Sequence, residues 1–292
     1  MPQPDDTLNH MTITTFHKRL RIQSDTHHVI PVFSDHSLHA IESLDIPEEL
    51  KRTISKEAGT HRRKEAKTIS WKSGETSIDF VFATGRTMDE LADALGESAR
   101  GGKADRACLV FEPLEESILR RVFDSFILGS YQFSRFKSDT KPFSRAFSYT
   151  ALSESVRADL ESRLFVLGCV YDARDMVNDP SNEKFPEDLA TRMAHHEWRN
   201  TDIRILNRFE IEREGMGLLL AVSLGSHREP RVVVFERIVD PTGPTIAIIG
   251  KGVTFDTGGL QIKPSSAIAE MYLDMSGAAV VANLARAIDR IE

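Results

Sequence analysis

The sequence predicts an α/β protein in two domains, each a mixed sheet flanked by helices. Three observations carry that expectation. Short β-branched and aromatic runs alternate with helical periodicities along the first 150 residues, as layered sheets and helices require. One long helical stripe, Val156, Leu160, Leu164, Leu167 and Tyr171, then separates this region from a second one. In that second region the apolar run Ile246, Ala247, Ile248 and Ile249 reads as a buried strand. It leads into a loop rich in glycine and charge, the layout of a crevice beyond a strand end. The expected organisation is an N-terminal domain at 1–150, a linker helix at 151–176 and a second domain at 177–292.

The elements follow in order. Strands are expected at 12–22 and 28–33, a helix around 47–56, and strands at 68–71 and 78–83 joined by a turn at 72–75. Thr87 suits an N-cap, and Glu90 three residues on completes a capping box. A strand at 107–111 precedes a helix with Ile118, Val122 and Phe126 on one side, ending near Gly129. A strand at 146–150 closes the region. The linker helix stops before Pro180, which forbids continuation. Pro186 suits the first turn of the next helix. His195 and His196 are adjacent there, about 100° apart on a helix, so they are no chelating pair. Strands at 203–207 and 217–223 flank a polar helix at 210–215, and further strands are expected at 230–236 and 245–249. A final helix carries the stripe Ala278, Val281, Leu284 or Ala285, Ile288 and Ile291.

Composition excludes several classes. With 37 Lys and Arg against 44 Asp and Glu, the net charge is −7, unlike a phosphate-tracking nucleic-acid binder. That balance also argues against reading the aromatic and basic stretch 129–142 as a nucleic-acid patch; it reads as an exposed connection. Cys108 and Cys169 are too few for a disulfide framework and read as buried free thiols. No apolar run reaches the roughly 20 residues of a membrane span, and no signal pattern opens the chain. A cytoplasmic protein is expected, with neither nucleic-acid nor membrane partners.

The stretch 250–274 concentrates the chemistry. Lys251, Asp256, Lys263 and Asp274 stand among Gly250, Gly252, Gly258 and Gly259. Carboxylates suit divalent cations, which makes Asp256 and Asp274 candidate metal ligands. Lys251 can donate a lone pair only when neutral, a form that a nearby dication favours. Lys263 can stay charged and stabilise an oxyanion on a reacting carbonyl. On spacing alone, the same four residues read first as ordinary loop charges around a turn-rich connection. Phosphate-loop readings fail on the letters: Gly252 stands where a P-loop needs Ser or Thr, and Phe255 where a dinucleotide fingerprint needs glycine.

GKGVTFDTGGLQIKPS followed by LDMSGAA resembles the central motif of the leucyl (cytosol) aminopeptidases. GSYQFSRFKSDTKP, VNDPSNEKFPEDLA and EGMGLLLAVSLGSHREPRVVVFE agree in order, so the resemblance runs from about residue 128 onward. It implies a metallopeptidase domain in which two divalent ions, manganese or zinc, activate a water against an N-terminal peptide bond. Lys251, Asp256 and Asp274 match the family's metal ligands by position, with Asp256 bridging, and Lys263 matches the lysine that polarises the scissile carbonyl. Peptides with a free N-terminus are the implied substrates, and a homohexamer the implied assembly.

The chain departs from the family pattern in one respect. Members carry an Asn-Thr-Asp-Ala-Glu-Gly-Arg motif, which supplies a further aspartate, a glutamate and an arginine that holds a bicarbonate base. No such motif occurs in these 292 residues. The expectation is a C-terminally truncated member with an incomplete metallopeptidase domain, partial metal binding at most, and no activity alone. The alternative is a non-catalytic relative with a binding or assembly role.

Overall fold

The β-branched and aromatic runs of the first 150 residues form six strands: β1 (Met11–Phe16), β2 (His27–Val32), β3 (Lys67–Ser73), β4 (Thr76–Phe82), β5 (Arg106–Phe111) and β6 (Ser144–Thr150). They pair into one sheet in the order β1-β6-β5-β2-β4-β3. Only the β3–β4 hairpin is antiparallel; β1–β6, β6–β5, β5–β2 and β2–β4 are parallel. Parallel neighbours need crossovers, and helices α1 (Glu48–Thr60), α2 (Met88–Gly101) and α3 (Glu116–Gly129) lie in those connections. This is a computed structural model, and it describes residues 11–16, 27–32, 41–42, 44–60, 67–74, 76–82, 88–101, 106–111, 116–138, 144–150 and 154–290. The expected capping residue Thr87 and the side chain of Cys108 lie outside the described residues.

The chain divides into two compact units, Met1–Leu167 and Gly168–Glu292. The division falls inside helix α4 (Glu154–Asn178), which contributes to both. In the first unit the core is aromatic and aliphatic. Ile78, Phe80 and Phe82 of β4 pack with Ile30 and Val32 of β2 and with Ile54 and Ala58 of α1. One polar cluster is buried beside it. The His27 ring lies 2.8 Å from Ser77 Oγ at Nδ1 and 2.7 Å from Ser98 O at Nε2. The N-terminal half of α4 is fixed to α3 by charge, through Arg163 with Asp124 and through Arg120 Nε donating to Asp159 Oδ2 at 2.8 Å.

The second unit contains α5 (Pro186–Ala194), β7 (Asp202–Leu206), α6 (Arg208–Arg213), α7 (Gly217–Ser223), β8 (Val232–Glu236), α8 (Ser265–Ile268), a 3₁₀ turn (Met271–Leu273) and α9 (Ser276–Asp289). Pro186 stands in the first turn of α5, where its missing N–H costs nothing. Asn207 and Glu210 close a reciprocal capping box on α6. β7 and β8 pair antiparallel, with Ile203 opposite Phe235. The core joins Ala173 and Met176 of α4, Leu189 and Met193 of α5, and Met275, Ala279 and Ala282 at α9.

Four local expectations are corrected. Residues 217–223 are a helix, because Gly-Leu-Leu-Leu-Ala-Val-Ser contains mostly helix formers and one β-branched residue. The run 245–249 is neither a strand nor buried: among the described residues no strand pairs with it, and Ile246 and Ile249 are 83% and 90% exposed. An apolar β-branched run becomes a strand only where a neighbour supplies backbone partners. α5 stops at Ala194, so His195 is its cap rather than a helical residue. The fully buried face of α9 is set by Ala279, Ala282 and Asn283, one step round from the expected stripe, while Val280 and Leu284 are exposed. Small side chains win this face because they pack closely against α4 and α5.

Candidate active site

Lys251, Asp256, Lys263 and Asp274 converge through local geometry within the second unit. Lys251 follows the extended run, and its carbonyl accepts from Ala278 N–H at 2.8 Å, which ties it to the start of α9. Gly250 permits that approach, since a Cβ there would collide with the backbone of Gly277. Asp256 opens a tight loop. Its Oδ1 accepts from Gly258 N–H at 2.8 Å, and Gly258 takes φ +77°, a left-handed conformation glycine adopts without strain. Gln261 takes φ +56° in the same loop, where a non-glycine residue is strained. Lys263 N–H donates to Thr257 O at 3.1 Å and closes the loop. Asp274 leaves the 3₁₀ turn one residue before Met275, the N-cap of α9, where the helix dipole favours negative charge.

The side chains meet as follows. Lys251 Nζ lies 2.9 Å from Asp274 Oδ2 and 4.0 Å from Asp256 Oδ2. Lys263 Nζ lies 2.7 Å from Asp256 Oδ2 and 3.0 Å from Met271 Sδ. The contact with Asp274, reinforced by Asp256, raises Lys251 above the ordinary lysine range, although partial desolvation opposes it. The hydrogen bond from Lys263, then that from Gly258 N–H, holds Asp256 below the usual carboxylate range. Here the two ammonium groups neutralise the two carboxylates.

The donor set suits a divalent cation in part. Asp274 Oδ2 is buried and makes no hydrogen bond; the Lys251 ammonium beside it is close but off-angle. A buried carboxylate oxygen of this kind suits a cation. Among the described residues no group of three or more His, Cys, Asp or Glu gathers around one point. The protein donors on hand are therefore Asp256, Asp274 and the Lys251 amine.

Residues 171–292 match the family model described as the cytosol aminopeptidase family, catalytic domain. Through these residues the chain belongs to the cytosol aminopeptidase family. Three probable cytosol aminopeptidases illustrate the likeness. That of Roseiflexus castenholzii is 35% identical over 215 residues, covering 69% of this chain and 44% of that protein. That of Syntrophotalea carbinolica is 37% identical over 179 residues, covering 58% of this chain and 36% of that protein. That of Methylobacterium radiotolerans is 37% identical over 169 residues, covering 55% of this chain and 33% of that protein. The chain spans less than half the length of these relatives. Among solved structures, the bottromycin maturation enzyme BotP in complex with Mn matches 92% of this chain and 56% of its own, with TM-score 0.66 and 25% identity. A mutant of tomato leucine aminopeptidase shares the fold, with TM-score 0.73 and 19% identity over 96% of this chain and 59% of its own. No helix among the described residues is long and apolar enough to cross a membrane.

Two structural residues of this cytosol aminopeptidase unit escaped sequence reasoning. Lys184 is 2% exposed and donates to Met176 O at 3.1 Å and Val177 O at 2.8 Å, at the C-terminal end of α4. Its Nζ also lies 5.3 Å from the centre of the Tyr272 ring, two residues before Asp274. Burial lowers its pKa to about 8, against the opposing pull of Asp179. Asp289, 1% exposed, accepts from Arg199 N–H and Asn200 N–H at 2.8 Å each and from Thr201 Oγ1 at 2.7 Å. Burial pushes it up, yet these bonds and Arg237 leave it below the usual range. Asp289 has no periodic or motif signal, because its partners lie 88 to 90 residues away, and Lys184 stands within VNDPSNEKFPEDLA, whose letters do not show that it is buried.

Proposed function

We propose that the second unit is part of a two-metal aminopeptidase site that releases N-terminal amino acids from peptides. The observation that supports this reading most is the meeting of Lys251, Asp256 and Asp274 around one point, with Lys263 beside them. Lys251, Asp256 and Asp274 would hold the cation, and Lys263 would face the substrate. Bound divalent ions in such a site supply an activated water and a polarised carbonyl.

This chain's residues have definite tasks in that chemistry. Lys251 must lose its proton before its nitrogen can act as a ligand, because the ammonium has no lone pair. Its raised pKa opposes that loss, and a cation held beside the two carboxylates would favour the neutral amine. With a cation held there, Asp256, which now accepts from Lys263 at 2.7 Å, would serve as one of its ligands. Lys263, beside Asp256, would donate a hydrogen bond to the carbonyl oxygen as negative charge develops there.

Residues 1–292 supply too few ligands for both ions, so the chain alone is inactive, and the complete activity needs the glutamate- and arginine-bearing motif of the family. A cytoplasmic location and a hexameric assembly follow the same family reading. The exposed apolar surface of the second unit favours a second reading, a binding or assembly role without turnover. Calorimetric titration of residues 1–292 with Mn²⁺ tests the first. The expected result is binding with proton release, weakened at least about tenfold in Asp274→Asn, equivalent to about 1.4 kcal/mol. Equal Mn²⁺ affinity in wild type and Asp274→Asn would overturn the ligand assignment. Manganese-dependent hydrolysis of leucine amide by residues 1–292 alone, abolished in Asp256→Asn, would overturn the claim of inactivity.

A further inference from the structure

The Asp274 carboxylate is placed by its backbone rather than by its own hydrogen bonds. Its Oδ2 is buried and makes none, and the cation beside it, Lys251 Nζ at 2.9 Å, ends a side chain that is 59% exposed. The backbone there is the single 3₁₀ turn Met271–Leu273. Leu273 N–H donates to Glu270 O at 3.0 Å, and Asp274 N–H to Met271 O at 3.3 Å. A turn this short has poor hydrogen-bond geometry and depends on packing from outside. After the turn, Met275 is fully buried in the cluster that contains Met176. Within the turn, the half-buried Tyr272 has its ring under the Lys184 ammonium, with 5.3 Å from Nζ to the ring centre.

Lys184 is itself fixed. Of the three N–H groups on its ammonium, two donate to Met176 O and Val177 O in the last turn of α4. Those carbonyls are among the four that a helix end leaves without helical partners, and the helix dipole favours a cation there. Water screens this charge little, since Lys184 is buried, so its attraction for an aromatic face is strong. A cap on α4 alone would need only the two carbonyls; the ring is a further contact, and it leads to the site. We propose that Lys184 is a positioning residue. It holds the Tyr272 ring and, through it, the turn that sets Asp274 beside Lys251 and Met271 against Lys263. The role of Asp274 as a cation ligand rests on the aminopeptidase reading; the hold on the turn does not.

The test compares Lys184→Met, Lys184→Arg, Tyr272→Leu and the double variant Lys184→Met, Tyr272→Leu in residues 1–292. Amide exchange at Leu273 and Asp274 is read by NMR, and Mn²⁺ affinity by calorimetry. Lys184→Met is expected to speed exchange at both amides about fivefold and to weaken Mn²⁺ binding about fivefold, the size that a desolvated cation–π contact supports. Lys184→Arg keeps the charge and can stack on the ring, so it restores most of both. Tyr272→Leu reproduces the loss, and the double variant loses no more than either single variant, because the two act through one contact. Asp289→Asn, which disturbs the same unit away from the turn, leaves both readouts at wild type. If Lys184→Met does not fold, Tyr272→Leu carries the same readouts, since its ring is only half-buried. Wild-type exchange at 273 and 274 in the single variants overturns the proposal. So does additive loss in the double variant, or faster exchange with Mn²⁺ affinity unchanged. Faster exchange in a chain whose wild type binds no Mn²⁺ overturns the aminopeptidase reading and leaves the hold on the turn standing.

Discussion

The two units of this chain are built from similar runs of apolar residues, yet they use them differently. In the first, Phe80, Phe82, Phe123 and Phe126 are almost completely buried, and the sheet finds helices for its apolar side chains. In the second, the buried cluster is made largely of methionine and alanine, while isoleucines and leucines stand in solvent. Hydrophobicity in the sequence is thus a statement about what a residue can bury, not about what it does bury. The first unit closes its core with its own strands; the second offers apolar surface and gathers charge.

The sharpest contrast is a large-to-small replacement in each unit. Phe80→Ala in the first unit is expected to cost about 3–5 kcal/mol, read by chemical denaturation, because it removes a fully buried ring and leaves a cavity. Leu218→Ala in the second is expected to stay within about 0.5 kcal/mol, since the side chain is 88% exposed. A cost of several kcal/mol for Leu218→Ala would show that α7 is covered in solution and would end the comparison.

Polar burial is the second unit's own source of order. Asp289→Ala is expected to destabilise it by about 2–3 kcal/mol, because the Arg199 and Asn200 N–H groups lose a buried, charged acceptor. Asp289→Asn should recover part of that loss. Hydrogen exchange at residues 199–201 localises the effect: wild-type protection there in Asp289→Ala would refute it.

Lys184 gives a pH dependence of defined sign. Its folded pKa is about 8, below the ordinary 10.5, so between those values the unfolded chain holds more protons. Stability from this group therefore rises with pH across that window. Wild type should gain about 1–3 kcal/mol relative to Lys184→Met between pH 8 and 10.5. A parallel pair of stability curves would contradict the burial argument. The smallest effect concerns Cys169, whose thiol burial pushes up to about 11. A thiol reagent at neutral pH should label it only as the second unit opens, and labelling at the rate of a free peptide thiol would show that the α4 packing is loose.

Much of this was legible in the sequence. Helix α3, with Val122 and Phe126 on its buried side, follows from a spacing of four, because a solvated helix with one apolar stripe has a single way to bury it. The candidate site was legible for a related reason: Lys251, Asp256, Lys263 and Asp274 lie within 24 residues, and glycine-rich turns bring such neighbours together locally. The run 245–249 was misread because its letters state a preference for strand while the decision belongs to a hydrogen-bonding neighbour elsewhere. Residues 217–223 were misread because Leu and Val suit a strand and a helix almost equally over seven residues. By itself, then, the sequence determined the α/β character, the long helix that runs over Glu154–Asn178 and the clustering of two amines with two carboxylates, all of which depend on short-range pattern. Only the tertiary structure decided that Lys184 would lose its hydration at the end of α4, that Asp289 would hold residues 199–201, and that Asp274 Oδ2 would be buried without a hydrogen bond. Those outcomes depend on which distant groups share a dry space, and chain order does not encode that directly.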